Sequence, residues 1–126
     1  MAVGLVDTNV VVDLLRGYAP AEQWLASQSQ LGVTRGVYFE IFEGVSSKLR
    51  LQEAQKFLDR FELIEYTLFD LQWATDQLAT YWLSHGIDAF DCLIAAPSYR
   101  LQLPLFTRNL KHFTPLLGNL AQEPYT

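Results

Sequence analysis

The sequence holds a single cysteine, Cys92, so no internal disulfide is possible. Its place in the apolar run "CLIAA" suits a small packed hydrophobe in a reducing compartment. Histidine is nearly as scarce. His85 and His112, with one thiol, offer none of the spacings that hold zinc. Basic residues number 9 against 14 acidic ones, a formal net charge of −5, so the broad positive surface that usually marks a nucleic-acid-binding protein is missing. No apolar stretch approaches the length of a membrane span, and the opening "MAVGLVDTN" lacks the basic region and long apolar core of an export signal. The expectation is a cytoplasmic chain without a membrane anchor. No internal repeat, low-complexity tract or linker interrupts it.

What the chain does have is apolar bulk. Half of its 126 residues are hydrophobic, with Trp24, Trp73 and Trp82 among them. That is enough for one well-filled core and suggests a single domain over residues 1–126. The surplus of large apolar side chains predicts a homodimer that covers part of it. Short apolar runs read as buried strands: "AVGLV" from Ala2, "LGV" from Leu31, "LIEY" from Leu63 and "LPLFT" from Leu103. Between them lie helical patterns. "VVVDLLRG" follows a capping "DTN", "PAEQWLASQ" carries Pro20 near its start, and Thr34 opens "RGVYFEIFEGV". "LQEAQKFLDRF" is amphipathic, "DLQWATDQLATYWLSHG" closes on His85 and Gly86, and Asp88 to about Arg100 forms a late helix in which Pro97 should bend the axis. Four strands alternating with helices give an α/β fold with a short central parallel sheet flanked by helices.

In such sheets ligands bind beyond the carboxyl ends of the strands, and that is where the acids fall. Asp7 ends the first strand. Glu40 and Glu43 lie on the helix after the second, Asp88 and Asp91 open the late helix, and Asn109 follows the fourth strand. Carboxylates and an amide are hard oxygen donors suited to Mg²⁺ or Mn²⁺. Each also has a plainer reading: Asp7, Asp88 and Asn109 can be helix caps, and Asp91 can be a first-turn acid facing the positive helix end. Glu40 sits among Phe39, Ile41 and Phe42, where an unpaired buried carboxylate is costly, so a ligand role suits it better than it suits the rim residue Glu43. Arg108 meets either a phosphate or an acidic neighbour. The two histidines do not make an acid–base pair, since His85 beside Gly86 suits a helix end.

In their order and spacing, "VDTNVVVDLL", "FEIFEGV" and "DCLIAAPSYRLQLPLFTRNLKHF" resemble the PIN domain, and the short length resembles a VapC-type toxin, the ribonuclease half of a toxin–antitoxin pair. The resemblance implies a PIN-like fold and metal-dependent endonucleolytic cleavage of RNA by a dimer that a cognate antitoxin silences. It places Asp7, Glu40 and Asp91 in the acidic site, with Asn109 fourth, converging within reach of one metal ion. Thr8 and Thr107 would position water or a phosphate oxygen. Asn109 stands where an aspartate is frequent, so one Mg²⁺ or Mn²⁺ is expected rather than two. The net negative charge is compatible with a nuclease, because bound cations reverse the field around an acidic site. The alternatives are a PIN-like binding or assembly module without strong catalysis, or a phosphoacceptor or phosphohydrolase with Asp7 as nucleophile. The last lacks the acid such a motif needs at Asn9.

Overall fold

The computed structural model describes all residues from 1 to 126. Strand β1, Leu5–Val6, leads into α1, Thr8–Leu15, and α2, Ala19–Ala26. Strand β2, Gly32–Thr34, is followed by α3, Arg35–Gly44, and α4, Lys48–Leu58. After β3, Glu62–Ile64, come the long α5, Leu68–His85, and α6, Ala89–Leu101. Then β4, Leu105–Phe106, α7, Leu110–Leu117, a 3₁₀ turn at Gly118–Leu120 and β5, Ala121–Gln122, complete the chain. The five strands form one parallel sheet in the order β3-β2-β1-β4-β5. The α/β expectation holds, with one strand more than the four expected.

The chain reverses its direction of strand addition at β1, which has β2 on one side and β4 on the other. At such a switch point the connections leave to opposite sides, and a crevice opens beyond the carboxyl ends of the two central strands. At the amino end of β1, Gly4 lets β1 and β4 pack closely, since a Cβ would lie 2.6 Å from the Phe106 ring. Pro104 has no N–H to give a ladder, so β4 begins only after it.

The core is built from the apolar faces that the sequence spacing promised. Leu5, Val6, Val33 and Leu105 of the sheet meet Val10, Val11, Val37, Ile94, Ala95 and Phe113 from the helices, all buried. Helix α1 packs against α2, α3 and α4, while α6 packs against α3, α5 and α7. Helix α5 ends where predicted: Gly86 adopts φ +65°, and its N–H closes on the Trp82 carbonyl. Helix α6 runs through Pro97, which is buried within it, without interruption.

The α5–α6 pair is locked by a buried charge. Asp70 is fully buried at the start of α5, where it shares a capping box with Thr67, and it accepts a hydrogen bond from Arg100 Nε at 2.9 Å. Losing either partner would strand the other's charge, which is why such pairs fix a helix register more than they add net stability. No helix is long and apolar enough to cross a membrane.

Candidate active site

Five polar side chains are buried in the whole molecule, and two of them, Asp7 and Thr107, face one another across the β1–β4 switch point. Asp7 follows β1 and caps α1, its Oδ1 accepting the Thr8 N–H at 2.7 Å. Its Oδ2 accepts from the Thr107 hydroxyl at 2.8 Å. The plain and the functional readings of Asp7 therefore describe the same side chain. Thr107 is fully buried, so its hydroxyl serves Asp7 rather than a water or a phosphate.

Asp7, Thr8, Asn9, Asp13, Glu40, Asp91 and Asn109 line one open concavity of about 330 Å³. Four elements bring them there: the start of α1, the middle of α3, the first turn of α6 and the loop after β4. Glu40 is half-buried, and its Oε1 accepts from the Thr8 hydroxyl at 2.6 Å. Asp91 serves two purposes. Its Oδ2 accepts the Asp88 N–H at 3.2 Å, completing a capping box in which Asp88 Oδ1 accepts the Asp91 N–H at 2.9 Å. The same Oδ2 lies 2.9 Å from His112 Nδ1. Asp88 is the exposed cap, and Glu43 is exposed and lines no part of the concavity. Asn109 is the N-cap residue of α7, yet its side chain makes no capping bond.

The acids face one space without forming a ready-made cage, for no three of them are drawn together. The expected convergence within reach of one ion is looser than the sequence reading had it. The reason is electrostatic: like charges repel at close range, and each carboxylate is turned to its own proton donor, Thr107 and Thr8, Thr8, or His112.

Burial pushes the Asp7 pKa up to about 7 despite its bonds to Thr107 and Thr8, and Glu40 and Asp91 push in the same direction. Glu40 is also raised, first by burial and then by the charges of Asp88, Asp91 and Glu43. Asp91 is raised by burial and by Asp88. A cluster with these shifts holds protons that a cation would replace. The donors present, three carboxylates with the Asn109 amide and the Thr8 hydroxyl, are hard oxygens and fit Mg²⁺ or Mn²⁺.

These shifts have a sign that stability can read. Folded Asp7 keeps its proton where the unfolded chain has already lost it, so its contribution is present at low pH and disappears as pH rises through about 7. In EDTA, the melting temperature is expected to fall between pH 5 and pH 8. Asp7→Asn should flatten most of that slope, and circular-dichroism melts across the range check it.

Sequence reasoning missed three contributors. His112 touches Asp91; the available signal was its spacing of three from Asn109, which puts it in the first turn of the helix that Asn109 precedes. Asn9 and Asp13 line the concavity because they lie on α1 near Asp7. Of the two partners expected for Arg108, a phosphate or an acidic neighbour, the structure shows the acid: Nη1 donates to Asp13 Oδ2 at 3.0 Å. His85 lines no part of the concavity, so no histidine pair forms.

A model of the PIN domain family matches residues 4–114. Over 130 aligned positions the chain is 36% identical to Ribonuclease VapC19 of Mycobacterium tuberculosis, with 96% of this chain and 98% of that protein covered. Among solved structures it is similar to a toxin-antitoxin complex from Klebsiella pneumoniae, with a TM-score of 0.80 and 24% identity over 97% of this chain and 98% of that one. It is also similar to VapBC2 from Rickettsia felis bound to a promoter DNA fragment, with a TM-score of 0.72 and 20% identity over 97% and 98% of the two chains. At these identities the solved structures speak for the fold.

Proposed function

The chain belongs to the PIN domain family, and on that premise we propose that it is an endoribonuclease of the VapC type, the toxin of a toxin–antitoxin pair. In this reading residues 1–126 act as one domain that hydrolyses phosphodiester bonds of single-stranded RNA with Mg²⁺ or Mn²⁺. The observation that carries it is Asp7, buried at the sheet's switch point and opening onto the same concavity as Glu40, Asp91 and Asn109. Those four would hold the ion. When bound, it supplies a Lewis acid that lowers the pKa of water and offsets charge developing on the phosphate.

The chain's own residues set the stage for that chemistry. Thr107 fixes the orientation of Asp7, Thr8 that of Glu40 and His112 that of Asp91, each through a hydrogen bond. With these contacts each carboxylate has a set direction before substrate arrives, and a bound ion would draw the acids closer together. Neutral Asn109 contributes one charge fewer than an aspartate would, which favours a single ion.

A second groove of about 370 Å³ shares Thr8, Val12 and Glu40 with the concavity. Its lining by Val12, Leu15, Ile41, Val45 and Ala54, together with Arg16 and Arg50, suits a peptide segment of the antitoxin. Exposed Phe39, Trp82 and Leu83 supply an apolar surface for a homodimer. The rival reading, a PIN-like module without catalysis, is favoured by Asn109 and by the open spacing of the acids. Calorimetric titration with Mn²⁺ separates the two. A catalytic site binds the ion and loses that binding in Asp7→Asn; absence of binding in the parent protein would favour the module.

A further inference from the structure

The last residues of the chain are tied to the rim of the acid concavity through one arginine. Arg108 stands between buried Thr107 and Asn109 in the loop from β4 to α7. Its guanidinium lies 5.6 Å from the centre of the Tyr18 ring and 5.3 Å from that of Tyr125. Arg108 Nη1 donates to Asp13 Oδ2 at 3.0 Å, and the Tyr125 hydroxyl donates to the same oxygen at 2.7 Å. The Tyr18 hydroxyl donates to the main-chain oxygen of Thr126 at 2.7 Å, and Arg108 Nη2 reaches that oxygen at 3.4 Å. Trp24 sits against Tyr125, with ring centres 6.0 Å apart. No bond between main-chain atoms ties residues 123–126 to the fold. They are held by Tyr125 and by the oxygen of Thr126.

The same arginine fixes the loop that carries Asn109. The Arg108 N–H donates to Asn9 Oδ1 at 3.2 Å, and the Asn109 N–H donates to Thr107 Oγ1 at 2.9 Å. Asn109 itself has φ −113° and ψ 63°, neither helical nor extended, and its side chain makes no cap bond. Its direction is therefore set by its neighbours. Both anchors at Asp13 fall on one oxygen of a side chain on α1, so loop, helix and chain end meet at a single carboxylate. We propose that residues 123–126 form a strap, and that Tyr125, acting through Asp13 and Arg108, positions the Thr107–Asn109 loop so that Asn109 faces the acid concavity.

Tyr125 is a positioning residue under this proposal, remote from the reacting atoms. The Tyr18 and Tyr125 rings, tilted 55° with centres 5.9 Å apart, flank one side of the guanidinium and restrict it, and a cation against ring faces is stabilised beyond its ion pair. Burial and the Asp13 carboxylate raise the hydroxyl's pKa above its ordinary value, so it remains a donor. The catalytic consequence rests on the endoribonuclease reading, whereas the mechanical part does not.

NMR-detected hydrogen exchange tests the mechanical part directly. In Tyr125→Ala, the amides of Arg108 and Asn109 should exchange about tenfold faster, while those of Ile94 and Ala95 in the core of α6 stay at parental rates. Tyr125→Phe, which keeps the ring and removes only the hydroxyl, should give a smaller increase at the same two amides. RNA cleavage should fall about tenfold or more in kcat in Tyr125→Ala with KM little changed, because a small misplacement near the chemistry is costly. In an Asn109→Ala background the Tyr125→Ala change should cost nothing further. Unchanged exchange at Arg108 and Asn109 would overturn the strap. An undiminished penalty in the Asn109→Ala background would overturn its action through Asn109. Absence of cleavage by the parent protein would instead count against the endoribonuclease reading, with the exchange result still deciding the strap.

Discussion

Asp91→Asn is expected to fold normally and to cleave single-stranded RNA about two to three orders of magnitude more slowly than the parent chain. The two roles of Asp91 make this substitution informative. As the third residue of α6 it accepts the Asp88 N–H, and an asparagine oxygen accepts that bond at little cost. What asparagine lacks is the charge. Loss of one carboxylate from an oxygen site weakens the hold on a divalent cation and with it the stabilisation of charge on the phosphate. Thermal melts within a few degrees of the parent, alongside lost cleavage, would separate the cap from the ligand. If Asp91→Asn keeps full cleavage, Asp91 is only a first-turn cap and its role as a ligand is wrong. His85→Ala, at a residue that lines no part of the concavity, should leave the rate unchanged.

The second large effect concerns a residue that need not touch RNA at all. Thr107→Val is nearly isosteric but removes a fully buried hydroxyl that donates to Asp7 and accepts from the Asn109 N–H. The buried Asp7 oxygen and the half-buried Asn109 N–H then lose a partner, the first at about 1–3 kcal/mol and the second at less. The Asp7 carboxylate, already pushed up to about 7 by burial, loses the strongest interaction that lowers its pKa and moves higher still. At neutral pH more of it is protonated and turned from its task. Cleavage should drop about a hundredfold, with the pH–rate profile displaced to higher pH. Thr107→Ser, which restores the hydroxyl, should recover most of the rate. A purely structural Thr107 would lower stability without moving the profile.

Much of this arrangement was legible in the residue order. A short apolar run ending in Asp7, a glutamate set among Phe39, Ile41 and Phe42, and an aspartate at the head of "CLIAA" are local patterns, and local patterns survive folding. The fifth strand was not legible, because "AQ" is two residues long and gains strand geometry only by pairing with β4. Helix α7 was hidden by Pro115 inside it. The contacts of Arg108 with Asp13 and of Tyr125 with Asp13 join residues 95 and 112 positions apart, and no spacing rule reaches that far. The sequence reading weighs His112 only as a partner of His85, which suits a helix end, whereas its partner in the fold is Asp91. The sequence also promised a tighter acid cluster than folding delivers, because spacing brings carboxylates to one edge but does not report the hydroxyls and imidazole that hold them apart.

The central claim, that this acidic concavity cleaves RNA with a divalent ion, is tested most directly by one assay. A labelled single-stranded RNA is incubated with the parent chain in Mg²⁺ or Mn²⁺, in EDTA, and with Asp7→Asn in the same metal. Asparagine caps a helix as well as aspartate does, so Asp7→Asn should remain folded. The account predicts internal cleavage in metal that stops in EDTA, returns when metal is restored in excess, and is lost in Asp7→Asn. Cleavage that persists in EDTA, or that Asp7→Asn retains at the parental rate, would contradict it.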